Sequence, residues 1–238
     1  MRALIAEQEF NMSDQLIHVR IDVSGKVFLK DPRSSILGKQ ILESGLPMII
    51  ELGMEGFTFR KLARHIGTTE SAVYRYFENK HKLLLYYVSW YWGWLDYNLA
   101  FGTANVALPE IKLETAIRIL TRSLPSMHNA PFNLTQLQEV VISESSKAYL
   151  TKEVDDENRD GLFVQFKNLC ARLSSIIQEL APEYPYARSL TSLFIESYLD
   201  QLFFKAHLSS LTDLHKSEDA SFVFYKEIIF SSLERWRK

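Results

Sequence analysis

The sequence is poor in cysteine, in long uncharged apolar runs and in groupings of metal ligands, and each scarcity excludes a class of protein. Cys170 is its one cysteine, so no disulfide can form within the chain. In "QFKNLCARLSSI" it falls on an apolar helical face and reads as a covered thiol, in keeping with a reducing compartment. No uncharged stretch reaches the roughly 18 residues that a membrane span needs. The most apolar one, residues 86–101, contains Asp96 and Asn98. The first residues, "MRALIAEQEFNMSD", lack a charged start followed by an apolar core, so no signal peptide and a cytoplasmic location are expected. His65 and His81 have no ligand spacing around them, His128, His207 and His215 stand alone, and Glu139, Glu144 and Glu196 form no paired Glu-x-x-His motif. Neither a metal, a cofactor nor catalysis is therefore expected. Asp155, Asp156, Glu157 and Asp160 are expected to sit in a solvated loop leading into a helix.

Net charge is slight, −2, but uneven: residues 59–82 hold six basic side chains against two acidic ones, a net of +4 that leaves −6 on the remainder. A basic module on an acidic body is the electrostatic footprint that phosphate contacts require.

Three kinds of pattern follow one another. In "LIHVRIDVSGKVFLK", residues 16–30, Ile17, Val19, Ile21 and Val23 alternate with polar residues. That period predicts a β-hairpin arm turning at Ser24-Gly25-Lys26, with Val23 opposite Val27 and Ile21 opposite Leu29. Ser34 or Ser35 then caps a helix through "ILGKQILESGLPMIIEL", which Gly45 and Pro47 are expected to bend and Gly53 to end. Thr58 caps "FRKLARHI", Gly67 stops it, Thr69 starts the short "ESAVYRYF", and Asn79-Lys80 starts a fourth helix that runs into the aromatic segment. Further helices are expected near 105–124, 134–148, 161–181, 186–208 and 218–236. The whole reads as all-α, with an N-terminal arm over 1–33, a three-helix module over 34–84 and a larger helical body over 85–238.

A helix, a three-residue turn and a short helix led by Thr69, Glu70, Ser71 and Ala72 form a unit slim enough for a major groove about 12 Å wide. The stretch "ILESGLPMIIELGMEGFTFRKLARHIGTTESAVYRYFENKHKLL", residues 41–84, resembles the DNA-binding domain of the TetR/AcrR family of bacterial transcription regulators. Gly53, Phe57-Thr58, Leu62-Ala63, Ile66-Gly67, Val73-Tyr74, Tyr76-Phe77, Lys80 and Leu83-Leu84 carry the likeness. It implies an all-helical homodimer on a palindromic duplex operator, with a C-terminal domain that dimerises and binds a small effector. By position it makes Thr58 and Thr69 helix-start neighbours of phosphate or base, Glu70, Ser71, Ala72 and Arg75 the groove readers, and Tyr74, Tyr76 and Lys80 the phosphate anchors. The function expected is a repressor released by an effector. The alternatives are a ligand-independent architectural DNA-binding dimer and a protein-interaction adaptor.

Beyond residue 84 the pattern must stand by itself. Leu190, Phe194, Tyr198 and Gln201 on one helix and Phe222, Tyr225, Ile229, Leu233 and Trp236 on the last are candidates for a four-helix dimer interface. Trp90, Trp94, Tyr97 and Phe101, with Tyr149, Phe163, Phe166 and Phe194, are candidates for the wall of a pocket for an apolar or aromatic effector. Core filling by the same aromatic residues is the competing use.

Overall fold

The computed structural model describes residues 21–122 and 130–237. Its first helix, α1 (Ile36–Gly56), starts where the Ser35 side chain accepts the Gly38 N–H at 3.1 Å. Gly53, at φ 64°, is its one non-helical residue, so Gly45 and Pro47 cause no break in the helical dihedrals. The reason for Gly45 lies across the core: a Cβ there would meet the Tyr87 hydroxyl at 2.3 Å. That hydroxyl donates to the Leu42 carbonyl at 2.8 Å.

Helix α2 (Phe59–His65) is capped by Thr58, whose side chain accepts from the Lys61 N–H, and α3 (Glu70–Tyr74) by Thr69, which accepts from Ala72. Gly67 turns between them at φ 70°, a conformation that favours glycine. Ile41, Leu42, Leu46, Phe57, Leu62, Val73 and Phe77 bury themselves against Leu83 and Leu84 to give this module its core. Helix α4 (Lys80–Thr103), capped by Asn79, then runs about 36 Å at 1.5 Å per residue. It belongs to both halves: its first turns close the module and its aromatic remainder is the central rod of the body.

Around that rod stand α5 (Pro109–Leu120), α6 (Leu134–Glu144), α7 (Ser146–Tyr149), α8 (Val154–Arg159), α9 (Val164–Leu180), α10 (Ala187–His207) and α11 (Ala220–Leu233). Helix α9 packs on α4, α5 and α10, while α6 reaches back to α1. No helix among the described residues is long and apolar enough to cross a membrane. Burial pushes the Cys170 thiol up to about 11.

Two expectations need correction. No β-hairpin arm forms among the described residues, which contain no β-strand; Leu16 to Arg20 of the expected first strand lie outside them. Ile21, Val23 and Val27 are buried as the alternation implied, but against helices. Their backbone finds partners there as well. Arg33 Nη1 donates to the Ile21 carbonyl at 3.0 Å, the Gln165 amide donates to that of Asp22, and the Leu29 N–H donates to the Tyr76 carbonyl at 2.8 Å. Only the turn survives, as Val27 N–H to Ser24 O at 3.0 Å. The segment 21–35 is thus a strap laid across α4 and the end of the module.

The acidic run is likewise not a loop, although Asp155, Asp156 and Asp160 are exposed to solvent. It folds as α8, and the Glu157 side chain is 7% exposed. Its carboxylate accepts from Lys82 Nζ at 2.7 Å and lies 3.1 Å from His81 Nε2, because the first turn of α4 brings two basic groups against it.

Candidate nucleic-acid interface

The interface is assembled from three capped helix starts. Each hydroxyl or amide cap satisfies an N–H that would otherwise be orphaned, so a helix of only five residues can stand at the surface. Val73 anchors α3 from beneath, while Ser71, Tyr74 and Arg75 are exposed and Ala72 is half-buried. Thr58 and Thr69 are exposed at their helix starts. The Thr69 and Ser71 hydroxyls lie 3.0 Å apart. Glu70 pairs with Arg60 at 3.5 Å, which moderates the repulsion a carboxylate would feel beside phosphates. Arg75 makes no ion pair among the described residues, which leaves its guanidinium fork available to a base edge. The Tyr74 ring leans edge-on against Phe59 with centroids 5.1 Å apart, presenting its outer side to solvent.

Two of the expected anchors point elsewhere. Tyr76 is 4% exposed, and its hydroxyl lies 2.7 Å from Ser35 Oγ. Lys80 Nζ donates to Met54 O at 2.5 Å and to Phe57 O at 3.3 Å. Its ammonium therefore caps the end of α1, where carbonyl groups and the helix dipole favour a cation. Met54 also gives its own N–H to Glu144 Oε1 at 3.1 Å, so α6 of the body and α4 hold one elbow between them. Sequence reasoning missed Ser35 as a partner of Tyr76, weighed Glu144 only as a metal ligand and placed Glu157 in a solvated loop, so the contacts of all three went unforeseen. The available signal was slender: acidic residues at apolar-face positions of their helices.

The expected effector wall is dispersed. Trp90 and Trp94 are buried, Tyr97 is half-buried and Phe101 is 71% exposed. The four rings stack in succession with centroids 6.0, 5.6 and 6.2 Å apart. The Tyr149 hydroxyl donates to Glu196 at 2.6 Å. Burial and that carboxylate raise the tyrosine's pKa, and burial raises that of Glu196. Phe163 is half-buried, and Phe166 lies against Trp92. A cavity of about 10 Å³ lies among the described residues of the body, between Tyr91, Trp92, Leu95, Leu169, Phe194 and Tyr198. Of the expected wall, only Phe194 touches it.

The interface candidates mostly face inward. Leu190, Phe194, Tyr198, Phe222, Tyr225, Ile229 and Leu233 are buried in the chain's own core, while Gln201 and Trp236 are half-buried. Leu193, Val223, Phe224 and Ile228 are the exposed apolar residues of α10 and α11. A groove of about 230 Å³ runs between Leu193, Phe224 and Ile228, floored by Leu190, Phe194, Tyr225 and Ile229.

A compact three-helix unit with a slim, outward-facing third helix, followed by a long helix into a separate helical body, is the architecture of a helix-turn-helix DNA-binding protein. The chain is a transcription regulator of the TetR family: residues 41–87 match the family model described as bacterial regulatory proteins, tetR family. It is 26% identical over 159 residues to the HTH-type transcriptional regulator PksA of Bacillus subtilis (strain 168), covering 65% of this chain and 73% of that protein. Its fold is similar to that of AibR, whose crystal structure is a complex with isovaleryl coenzyme A and operator DNA. There the TM-score is 0.51 at 15% identity, over 86% of this chain and 98% of that one. A putative tetR family transcription regulator from Shewanella sp. PV-4 gives 0.46 at 16% identity, over 80% and 96%.

Proposed function

We propose that this regulator is a homodimeric repressor that places one copy of α3 in each of two successive major grooves of a palindromic operator. Ser71, Ala72 and Arg75 would face base edges, Glu70 would orient Arg60 beside them, and Thr58, Thr69 and Tyr74 would hold the sugar-phosphate backbone. The observation that carries this reading is the outward Arg75 on a helix with a buried Val73 beneath it. Tyr76 and Lys80 serve in it as braces of the module. Selection of bound duplexes from a random library tests it, with a two-fold motif as the expected product. Arg75→Ala should then cost about 1–3 kcal/mol on the selected site and much less on scrambled DNA. Equal losses on both would move Arg75 to the backbone-contacting set.

The dimer contact proposed is the exposed face of α10 and α11 around Leu193, Phe224 and Ile228, since apolar side chains lining one continuous groove mark an association surface. Phe224→Glu, checked by sedimentation velocity, should give monomers that still show helical circular dichroism. A variant that stays dimeric would place the interface elsewhere.

Release by an effector requires the body to open. AibR is bound to an acyl thioester, and by analogy an apolar acyl or aromatic compound is the class proposed here. A drug-sized ligand occupies roughly 300–1,000 Å³, far more than the cavity between Trp92 and Tyr198. Entry would therefore displace α4 or α10, and displacement of α4 would tilt the module that it carries. The tight packing around that cavity equally favours a second reading, a DNA-binding dimer that needs no ligand. Titrating the operator complex with isovaleryl coenzyme A and with a panel of aromatic acids separates the two. Release by any of them supports the effector, and unchanged operator affinity at saturation supports the ligand-free dimer.

A further inference from the structure

Tyr76 stands at the end of the reading unit, where a phosphate anchor was expected, yet its hydroxyl is turned onto Ser35 and its ring is nearly buried. Over that ring lies Lys30 of the strap, whose Nζ is 5.2 Å from the ring centroid. The position is not accidental slack in an exposed side chain. The neighbouring Leu29 N–H donates to the Tyr76 carbonyl at 2.8 Å, and Val27, two residues before that, is 1% exposed. The strap is therefore pinned by backbone on one side of Lys30. On the other side Asp31 accepts from the Arg33 N–H at 2.9 Å and opens a short turn into α1. Lys30 is exposed and makes no ion pair among the described residues. The strap's other lysine, Lys26, points instead to the body and pairs with Asp160 at 2.5 Å.

We propose that Lys30 is a DNA-backbone contact, supplying from the strap the phosphate donor that Tyr76 and Lys80 do not present, so that segment 21–35 extends the interface beyond the helix-turn-helix. The ligand is a phosphodiester of duplex DNA flanking the bases that α3 reads. An ammonium held over an aromatic face retains its charge and donors for a phosphate oxygen. This inference rests on the DNA-binding reading of α3.

Each phosphate neutralised by a cation releases counterion and adds about 0.9 to the slope of log affinity against log salt. The test uses the full-length protein and two fluorescent duplexes, the site selected from a random library and a scrambled version, titrated over a range of potassium chloride. Lys30→Gln is expected to weaken binding to both duplexes by about three- to tenfold and to lower the slope by about one per bound protomer. Lys30→Arg should keep the wild-type slope, and Lys26→Gln, the same charge change on the same strap, should leave it unmoved. A wild-type slope for Lys30→Gln overturns the inference, as does an equal fall for Lys26→Gln, which would reduce the effect to net charge. In either case wild-type binding to the selected site leaves the α3 reading standing. If the wild-type protein binds neither duplex at low salt, both fall together.

Discussion

Gly45→Ala should destabilise the protein although alanine is the better helix former. Replacing a mid-helix glycine by alanine ordinarily gains about 0.5–1 kcal/mol, but here the new methyl would stand 2.3 Å from the Tyr87 hydroxyl. Tyr87 cannot swing aside. It is fully buried, its ring packs edge-on against Tyr86 and Phe132, and its hydroxyl is bonded to the Leu42 carbonyl. Burial accordingly holds its pKa well above the usual tyrosine range. Overpacking of this kind costs about 1–3 kcal/mol. Tyr87→Phe by itself should cost about 1 kcal/mol for the lost hydrogen bond. The double variant should be more stable than Gly45→Ala, because with the oxygen gone the nearest remaining contacts are at 3.4 and 3.5 Å. Urea unfolding of the four proteins closes the cycle. A double variant that is worse than Gly45→Ala would show that the approach of α4 to α1 is not set by this hydroxyl.

The second large effect is expected at Glu157. Its carboxylate is nearly inaccessible and faces Lys82, 17% exposed, and His81, 27% exposed. Truncating one partner of a buried ion pair leaves the other charge desolvated, at about 3–5 kcal/mol, and somewhat less where the surviving cation can still reach water. Glu157→Ala should therefore cost about 2–4 kcal/mol, measured again by the urea midpoint. Replacing both ends, as in Glu157→Met with Lys82→Met, should recover most of the loss, since an apolar pair of similar volume carries no unpaired charge. The functional consequence follows from location. The pair joins α8 to the first turn of α4, so amide exchange at residues 80–84 should rise in Glu157→Ala while the exchange of α9 stays as before. Faster exchange spread evenly over the body would instead make Glu157 a general support of the fold.

How much of this was legible beforehand depends on how far apart in sequence the interacting groups lie. Thr58, Thr69 and Asn79 bond to N–H groups three residues on, so the composition of each helix start was enough to find them. The continuity of α4 was legible for the same reason, with no glycine or proline before Gly93 to stop it. The strap was misread because alternation reports which side chains are buried and says nothing about which backbone answers theirs. The Tyr76 carbonyl took the Leu29 N–H, and Arg33 and Gln165 took the Ile21 and Asp22 carbonyls, backbone groups that could have paired between strands. Pattern alone read Tyr76 and Lys80 as phosphate anchors and could not reveal Ser35 and the Met54 carbonyl that receive them, 41 and 26 residues away. In α10 and α11 the difficulty was abundance. With apolar residues on most sides, Phe194 and Leu193 are equally good candidates by period, and only packing turns the first inward and the second out.

The backbone of one residue, Met54, is gripped at its N–H by a carboxylate of the body and at its carbonyl by the amine of α4. A genetic screen for loss of regulation would accordingly collect lesions at Glu144, ninety positions downstream, that leave every groove-facing atom chemically intact. Such alleles would look like faulty DNA readers while being faulty hinges.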